Sequence, residues 1–262
     1  MLRITSDESS RIFDCAVDAG RILLNSGAEI YRAQETMDRI LQAYGCSDEE
    51  FFVMLNGIIA TIKDSRGKVY TRVLNAPIAG VTLDRIEEVN RLSRDIERQH
   101  LPVEEVEARL AAIHQLPSKK LGTNLLAAGL GSACFSFMIS ASLTDSLAAG
   151  LAGLLVQLTL TGFSRIKSSK IVINIICGFI AVMVCTLLHH AGIGDDLSHM
   201  VLGAVMPLIP GVPLILGVRE LMEDCYLSGI IRLLDTVLIL CGIGIGVYLA
   251  LQLNHLTGGV TI

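Results

Sequence analysis

The hydrophobic pattern of the chain changes character at about Leu121. Before that point apolar residues recur at helix or strand spacing among charges, and after it they run almost without interruption. In the first part Ile12, Phe13, Ala16, Ala19, Gly20 and Leu23 fall on one side of a helix over residues 9–25, which Ser26-Gly27 ends. A second helix over 29–44 places Ile30, Ala33, Met37, Ile40, Leu41 and Tyr44 on one face and stops at Gly45. Residues 51–62, rich in Phe, Val and Ile, and the loosely alternating 68–74 read as a β-hairpin closed by Asp64-Ser65-Arg66-Gly67. Helices over 82–98 and 103–115 follow, separated by Pro102, so this part is α+β.

The second part contains five windows near the roughly 17 to 25 apolar residues that cross a bilayer: 121–142, 145–163, 171–188, 197–218 and 233–253. The fold class expected is an α-helical membrane protein, with a soluble α+β domain over 1–120 and a bundle of about five transmembrane helices over 121–262. Composition agrees, since 52% hydrophobic residues and a mean hydropathy of +0.57 exceed what an ordinary globular protein carries. Residues 1–120 hold 16 of the 21 Lys and Arg and 19 of the 26 Asp and Glu. The charge asymmetry therefore falls at the same boundary.

Loop charges assign sides. Lys119 and Lys120 precede the first span, Arg165, Lys167 and Lys170 separate the second and third, and Arg219 and Arg232 separate the fourth and fifth. The loops around Leu143 to Ser146 and Ala191 to His199, and the tail after Leu253, have no Lys or Arg. Basic residues stay in the cytoplasm, so the expected topology is an inner-membrane protein with its N-terminal domain cytoplasmic and its C-terminus outside. Residues 1–10 show no secretory signal. A net charge of −5 without a basic block argues against nucleic acid as a partner. Seven scattered cysteines without a CxxC pair read as buried thiols, not as a disulfide frame or zinc site.

The most unusual local feature is Pro207-Leu208-Ile209-Pro210-Gly211-Val212-Pro213, in the middle of the fourth span. Proline removes an amide and clashes with the preceding turn, so this stretch is expected to unwind or kink the helix. Unpaired backbone at that depth requires protein or a watery cavity around it. Transporters use such breaks to aim a half-helix N-terminus at an anionic group, and a purely structural kink is the plainer alternative. Small residues (Gly129 with Ala133, Ala148 with Ala152, Gly150 with Gly153, and Gly242, Gly244 and Gly246) mark close helix packing.

Pro210-Gly211-Val212-Pro213, followed by Val218-Arg219-Glu220-Leu221 and Ser228-Gly229-Ile230-Ile231-Arg232, resembles the proline-glycine signature of the threonine/serine exporter (ThrE) family. Ser26-Gly27-Ala28-Glu29-Ile30-Tyr31-Arg32-Ala33-Gln34-Glu35-Thr36-Met37 resembles that family's N-terminal motif, and residues 83–113 resemble its third and fourth head helices. The chain departs in having Ile215-Leu216 where members often have Thr-Asn, and Glu220 where they have aspartate. Larger relatives carry a second membrane module, so the chain is similar to the shorter subunits, some linked to succinate export together with a separate small membrane protein.

The resemblance implies a transporter subunit, not an enzyme, that exports small carboxylate-bearing metabolites by secondary transport. Its partners would be the bilayer, the carboxylate substrate and a second small membrane subunit or another copy of itself; no cofactor is implied. Pro207, Pro210, Gly211 and Pro213 would meet substrate, with Asn124, Gln157 and Asn174 lining a path. Thr159 and Thr161 belong to the same polar set, for which interhelical hydrogen bonding is an equal explanation. Asp235, Arg219, Glu220, Arg32 and Glu35 are candidates for coupling or gating. An ion pair of Asp235 with Arg232 at i−3, and salt bridging among Glu29, Arg32, Glu35, Asp38 and Arg39, are the plain accounts of those charges. His189, His190, Asp195, Asp196 and His199 have no metal-ligand spacing and read as a solvated loop. No GxSxG, HExxH, P-loop or dinucleotide fingerprint occurs. A membrane-anchored sensor or scaffold whose head binds a partner is the alternative, although one span would suffice for an anchor.

Overall fold

The computed structural model describes residues 6–46, 48–63, 67–77, 80–117, 121–140, 142–163 and 169–256. Lys119, Lys120, Arg165, Lys167, most of the expected 64–67 turn and the C-terminal tail lie outside them. The chain forms two compact units, Met1–Pro117 with Leu216–Arg232, and Ser118–Ile215 with Leu233–Ile262.

The first unit is built on α1 (Ser6–Asn25) and α2 (Ile30–Ala43), three strands β1 (Glu49–Met54), β2 (Gly57–Lys63) and β3 (Val69–Asn75), then α3 (Leu83–Gln99) and α4 (Val103–His114). Ile12, Phe13, Ala16, Ala19 and Leu23 of α1 are buried, on the side the helical period assigns. Gly27, at φ +79°, makes the left-handed turn between α1 and α2. The expected single strand over 51–62 is instead two: the chain reverses at Leu55-Asn56, pairing Met54 with Gly57 and Phe52 with Ile59. The local signal for this turn is Asn56-Gly57, set inside a run that otherwise reads as one apolar strand. The sheet is antiparallel in the order β1-β2-β3. Its β2 alternates as the period of 2 requires, with Ile58, Ala60 and Ile62 buried against the helices.

Among the described residues four helices are long and apolar enough to cross a membrane: α5 (Leu121–Ser140), α6 (Leu143–Phe163), α7 (Lys170–His190) and α10 (Tyr226–Leu256). The fourth expected span is broken into α8 (Leu197–Val205) with a 3₁₀ turn (Met206–Leu208), and α9 (Gly211–Met222), bent by 54°. The protein is a helical membrane protein with four such helices, or five if the bent pair counts as one span.

Glycines set the spacing in the second unit. A Cβ on Gly178 of α7 would lie 2.6 Å from the Ile243 carbonyl of α10, and one on Gly242 would lie 3.0 Å from the Ile171 carbonyl. On Gly246 it would collide with the Ile175 carbonyl. The two backbones touch at successive turns, which only glycine permits. Gly244, by contrast, faces open space.

Candidate functional site

The break follows from its prolines. The Ile209 amide donates to Met206 O at 3.1 Å, closing the 3₁₀ turn, and Pro210 has no amide to extend it. At the start of α9 the Gly211 amide donates to Ile209 O (2.8 Å), Pro213 has none, and the Leu214 amide returns to Pro210 O (3.1 Å). A helix leaves its first amides unsatisfied, and here that leaves Val212 as the one the first turn can offer a ligand. Pro207 is exposed, Pro210, Gly211 and Pro213 are half-buried, and Val212 is 53% exposed.

The polar residues expected to line a path are half-buried, but among the described residues Asn124, Gln157 and Asn174 make no hydrogen bond to the break. Thr159, Thr161 and Asn174 bond to the carbonyl one turn earlier, at Leu155 (2.9 Å), Gln157 (2.8 Å) and Lys170 (2.8 Å). These bonds stay within each residue's own helix, and those of Thr159 and Asn174 are neither interhelical nor directed at the break.

The charged residues sort differently from their sequence spacing. Asp235 pairs with Lys170 of α7 at 3.1 Å, not with Arg232. Arg232 turns to Glu220 and donates two bonds, at 2.6 and 3.0 Å, with side-chain exposures of 8% and 1%. A turn at Met222 to Tyr226 doubles α9 back onto α10, so a partner twelve positions away competes better than one at i+3. Arg219 reaches Glu29, the residue before α2, at 2.7 Å, and Glu223 at 2.9 Å. The Ser228 hydroxyl accepts the Leu55 amide of the β1–β2 turn at 3.2 Å. Glu29, Arg219, Glu220, Ser228 and Arg232 are thus joined in the first unit, although they stand up to two hundred positions apart. Glu35 pairs with Arg39 at 2.7 Å, and Arg32 is exposed.

A groove of about 480 Å³ also lies between α1, β3 and α4. Its charges are mutually satisfied, Arg72 by Asp14 (2.6 Å) and His114 by Asp18 (2.8 Å), so it offers a ligand little unpaired charge. Among the described residues no three His, Cys, Asp or Glu side chains converge as metal ligands.

One carboxylate was not singled out in the sequence. Asp145, in the first turn of α6, is 1% exposed and accepts the amides of Asp195 (2.6 Å) and Asp196 (3.2 Å). His199 Nδ1 lies 3.8 Å from its other oxygen. Of the residues expected to form a solvated loop, Asp195, Asp196 and His199 are therefore tied to α6, while the side chains of His190, Asp195 and Asp196 remain exposed. Asp145 opens an apolar run, and nothing in the sequence distinguishes it from an ordinary first-turn acid.

Residues 14–254 match the ThrE family, described as "Putative threonine/serine exporter". The chain is 24% identical over 260 residues, 98% of its length and 99% of the relative's, to the protein of Klebsiella aerogenes named "Probable succinate transporter subunit YjjP". No solved structure matches it significantly.

Proposed function

Because the chain belongs to the ThrE threonine/serine exporter family, we propose that this multi-pass membrane exporter carries small carboxylate-bearing metabolites, either threonine and serine or a dicarboxylate such as succinate. The observation that carries the reading is the bend of 54° at the proline-glycine break, in the middle of an otherwise apolar span. A broken span places a helix N-terminus and unpaired backbone within the bilayer, where transporters hold anionic substrates. The Val212 amide, with Pro207, Pro210, Gly211 and Pro213 around it, is the binding element in this proposal, and Asn124, Gln157 and Asn174 belong to the path. Transport is secondary, driven by a proton or substrate gradient.

The remaining assignments belong to the same proposal. Residues 1–120 are a cytoplasmic domain, residues 121–262 the membrane bundle of the inner membrane, and the C-terminus is outside. Arg219 and Glu220, linked to Glu29 and Arg232, and Asp235, with Arg32 and Glu35 on α2, are the coupling or gating set. A relative named as a transporter subunit supports a second membrane subunit as partner.

The test is efflux of labelled threonine and succinate from cells with and without the gene, with the partner gene present, and from a Gly211→Leu strain. A Cβ at Gly211 meets nothing within 4 Å, so this variant is expected to fold and to lose efflux by obstructing the break. Unchanged efflux of both compounds on deletion removes the reading for these substrates.

A further inference from the structure

Two loops without Lys or Arg, around Leu143 and at 191–196, meet at one end of the second unit. Their junction is Asp145. One carboxylate oxygen receives the Asp195 and Asp196 amides, and the other faces the His199 ring on α8. The loop is closed around this contact. Gly194 stands at φ +101°, and a Cβ there would lie 3.3 Å from Asp145 Oδ1 and collide with the Met200 sulfur. Thr144 donates to Asp195 Oδ2 at 2.7 Å, and His189 Nδ1 lies 3.2 Å from Gly194 O. On α5, Ser136 donates to the His199 carbonyl at 3.3 Å.

We propose that Asp145 and His199 form a latch that holds this end of the bundle shut and tightens when His199 takes a proton. Imidazole is the ordinary side chain that changes charge between pH 5 and 8. His199 is reachable by water, with 34% of its side chain exposed, while Asp145 is enclosed at 2%. A proton taken from solution turns His199 into a cation between two carboxylates, Asp145 at 3.8 Å and Asp196 at 3.5 Å. The other titratable groups at the junction are Asp195, occupied by Thr144, and His189, held against Gly194 O. The proton returns to the same solution, so the latch moves no net charge across the bilayer. It acts as a gate on the path, and this role rests on the transport reading above.

Hydrogen exchange at the Asp195 and Asp196 amides tests it without any substrate, on the full chain in lipid nanodiscs. Corrected for the intrinsic rate, protection is expected to rise roughly 1.5- to fivefold from pH 8 to pH 5.5, the size of a half-exposed ion pair. His199→Gln is expected to keep the pH 8 protection and lose the rise. Asp145→Asn is expected to lose at least tenfold at both pH values. Protection in the wild type that does not rise, or an Asp145→Asn variant protected like the wild type, overturns the latch. A latch seen by exchange without efflux of threonine or succinate removes the transport reading instead, and leaves the latch standing.

Discussion

Replacing Arg232 by methionine strands a carboxylate. Glu220 is enclosed to 1% side-chain exposure, and its two oxygens accept bonds of 2.6 and 3.0 Å from the one guanidinium. Arg232→Met keeps the stem and removes both donors, so Glu220 must stay charged without a partner or take up a proton. Breaking such a buried pair costs about 3–5 kcal/mol, which for a unit of this size is on the order of 10 °C in melting temperature. The chain has no Trp, so thermal unfolding in detergent is best followed with a thiol-reactive dye. Cys15, 5% exposed in the core of the first unit, supplies a reporter. The double variant Glu220→Leu with Arg232→Met is expected to recover at least half of the loss, because a buried ion pair and an apolar pair of similar volume are close in energy. A single variant within about 2 °C of wild type, or a double variant worse than the single, refutes the reasoning.

Alkaline pH is expected to loosen the first unit. Burial, reinforced by Glu107 and Asp18, pushes the Cys15 thiol up to about 12 from 9.0, and burial pushes the Tyr44 hydroxyl up to about 12 from 10.0. Both groups stay neutral in the fold and ionise earlier in the unfolded chain, so stability is complete below pH 9 and lost as the pH climbs toward 12. Urea midpoints at pH 7.5, 9 and 10.5 should fall in that order, and Cys15→Ala should remove the earliest part. Gly246→Leu is expected to prevent α7 and α10 from packing, since the added Cβ meets backbone that cannot rotate away; the loss, ~3 kcal/mol or more, would show as a lowered melting temperature. Asp235→Asn should change stability by no more than about 1 kcal/mol, because its pair with Lys170 is 39% and 55% exposed. A larger loss in the same melting assay would assign Asp235 a structural role beyond that pair.

What the sequence carries well is whatever depends on near neighbours. The face of α1, the end of α2 at Gly45 and the interruption of the fourth span by Pro207 and Pro210 are local consequences of periodicity and of missing amides. The Leu55-Asn56 reversal does have a local signal in Asn56-Gly57, but one polar residue and one glycine are easily lost in an apolar run that continues on both sides through Phe52, Val53, Ile58 and Ile59. Pairings across long separations were hidden for another reason. Arg232 lies one turn from Asp235 along the helix and twelve residues from Glu220, and only the doubling back of the chain after Met222 makes the distant acid the nearer one. Asp145 illustrates the same limit, since its partners are amides some fifty residues away and amides have no sequence signature.

The three glycine contacts between α7 and α10 bear on mechanics. At Gly178, Gly242 and Gly246 each backbone sits in a notch of the other, like teeth of a key. Sliding by one residue would drive an isoleucine side chain into a notch sized for a hydrogen atom, and rotation would do the same at the next turn. The pair therefore behaves as one strut. Whatever displacement the export cycle requires must carry α7 with the C-terminal part of α10, and the compliant joints have to be sought elsewhere, first at the proline break where the backbone is already unbonded.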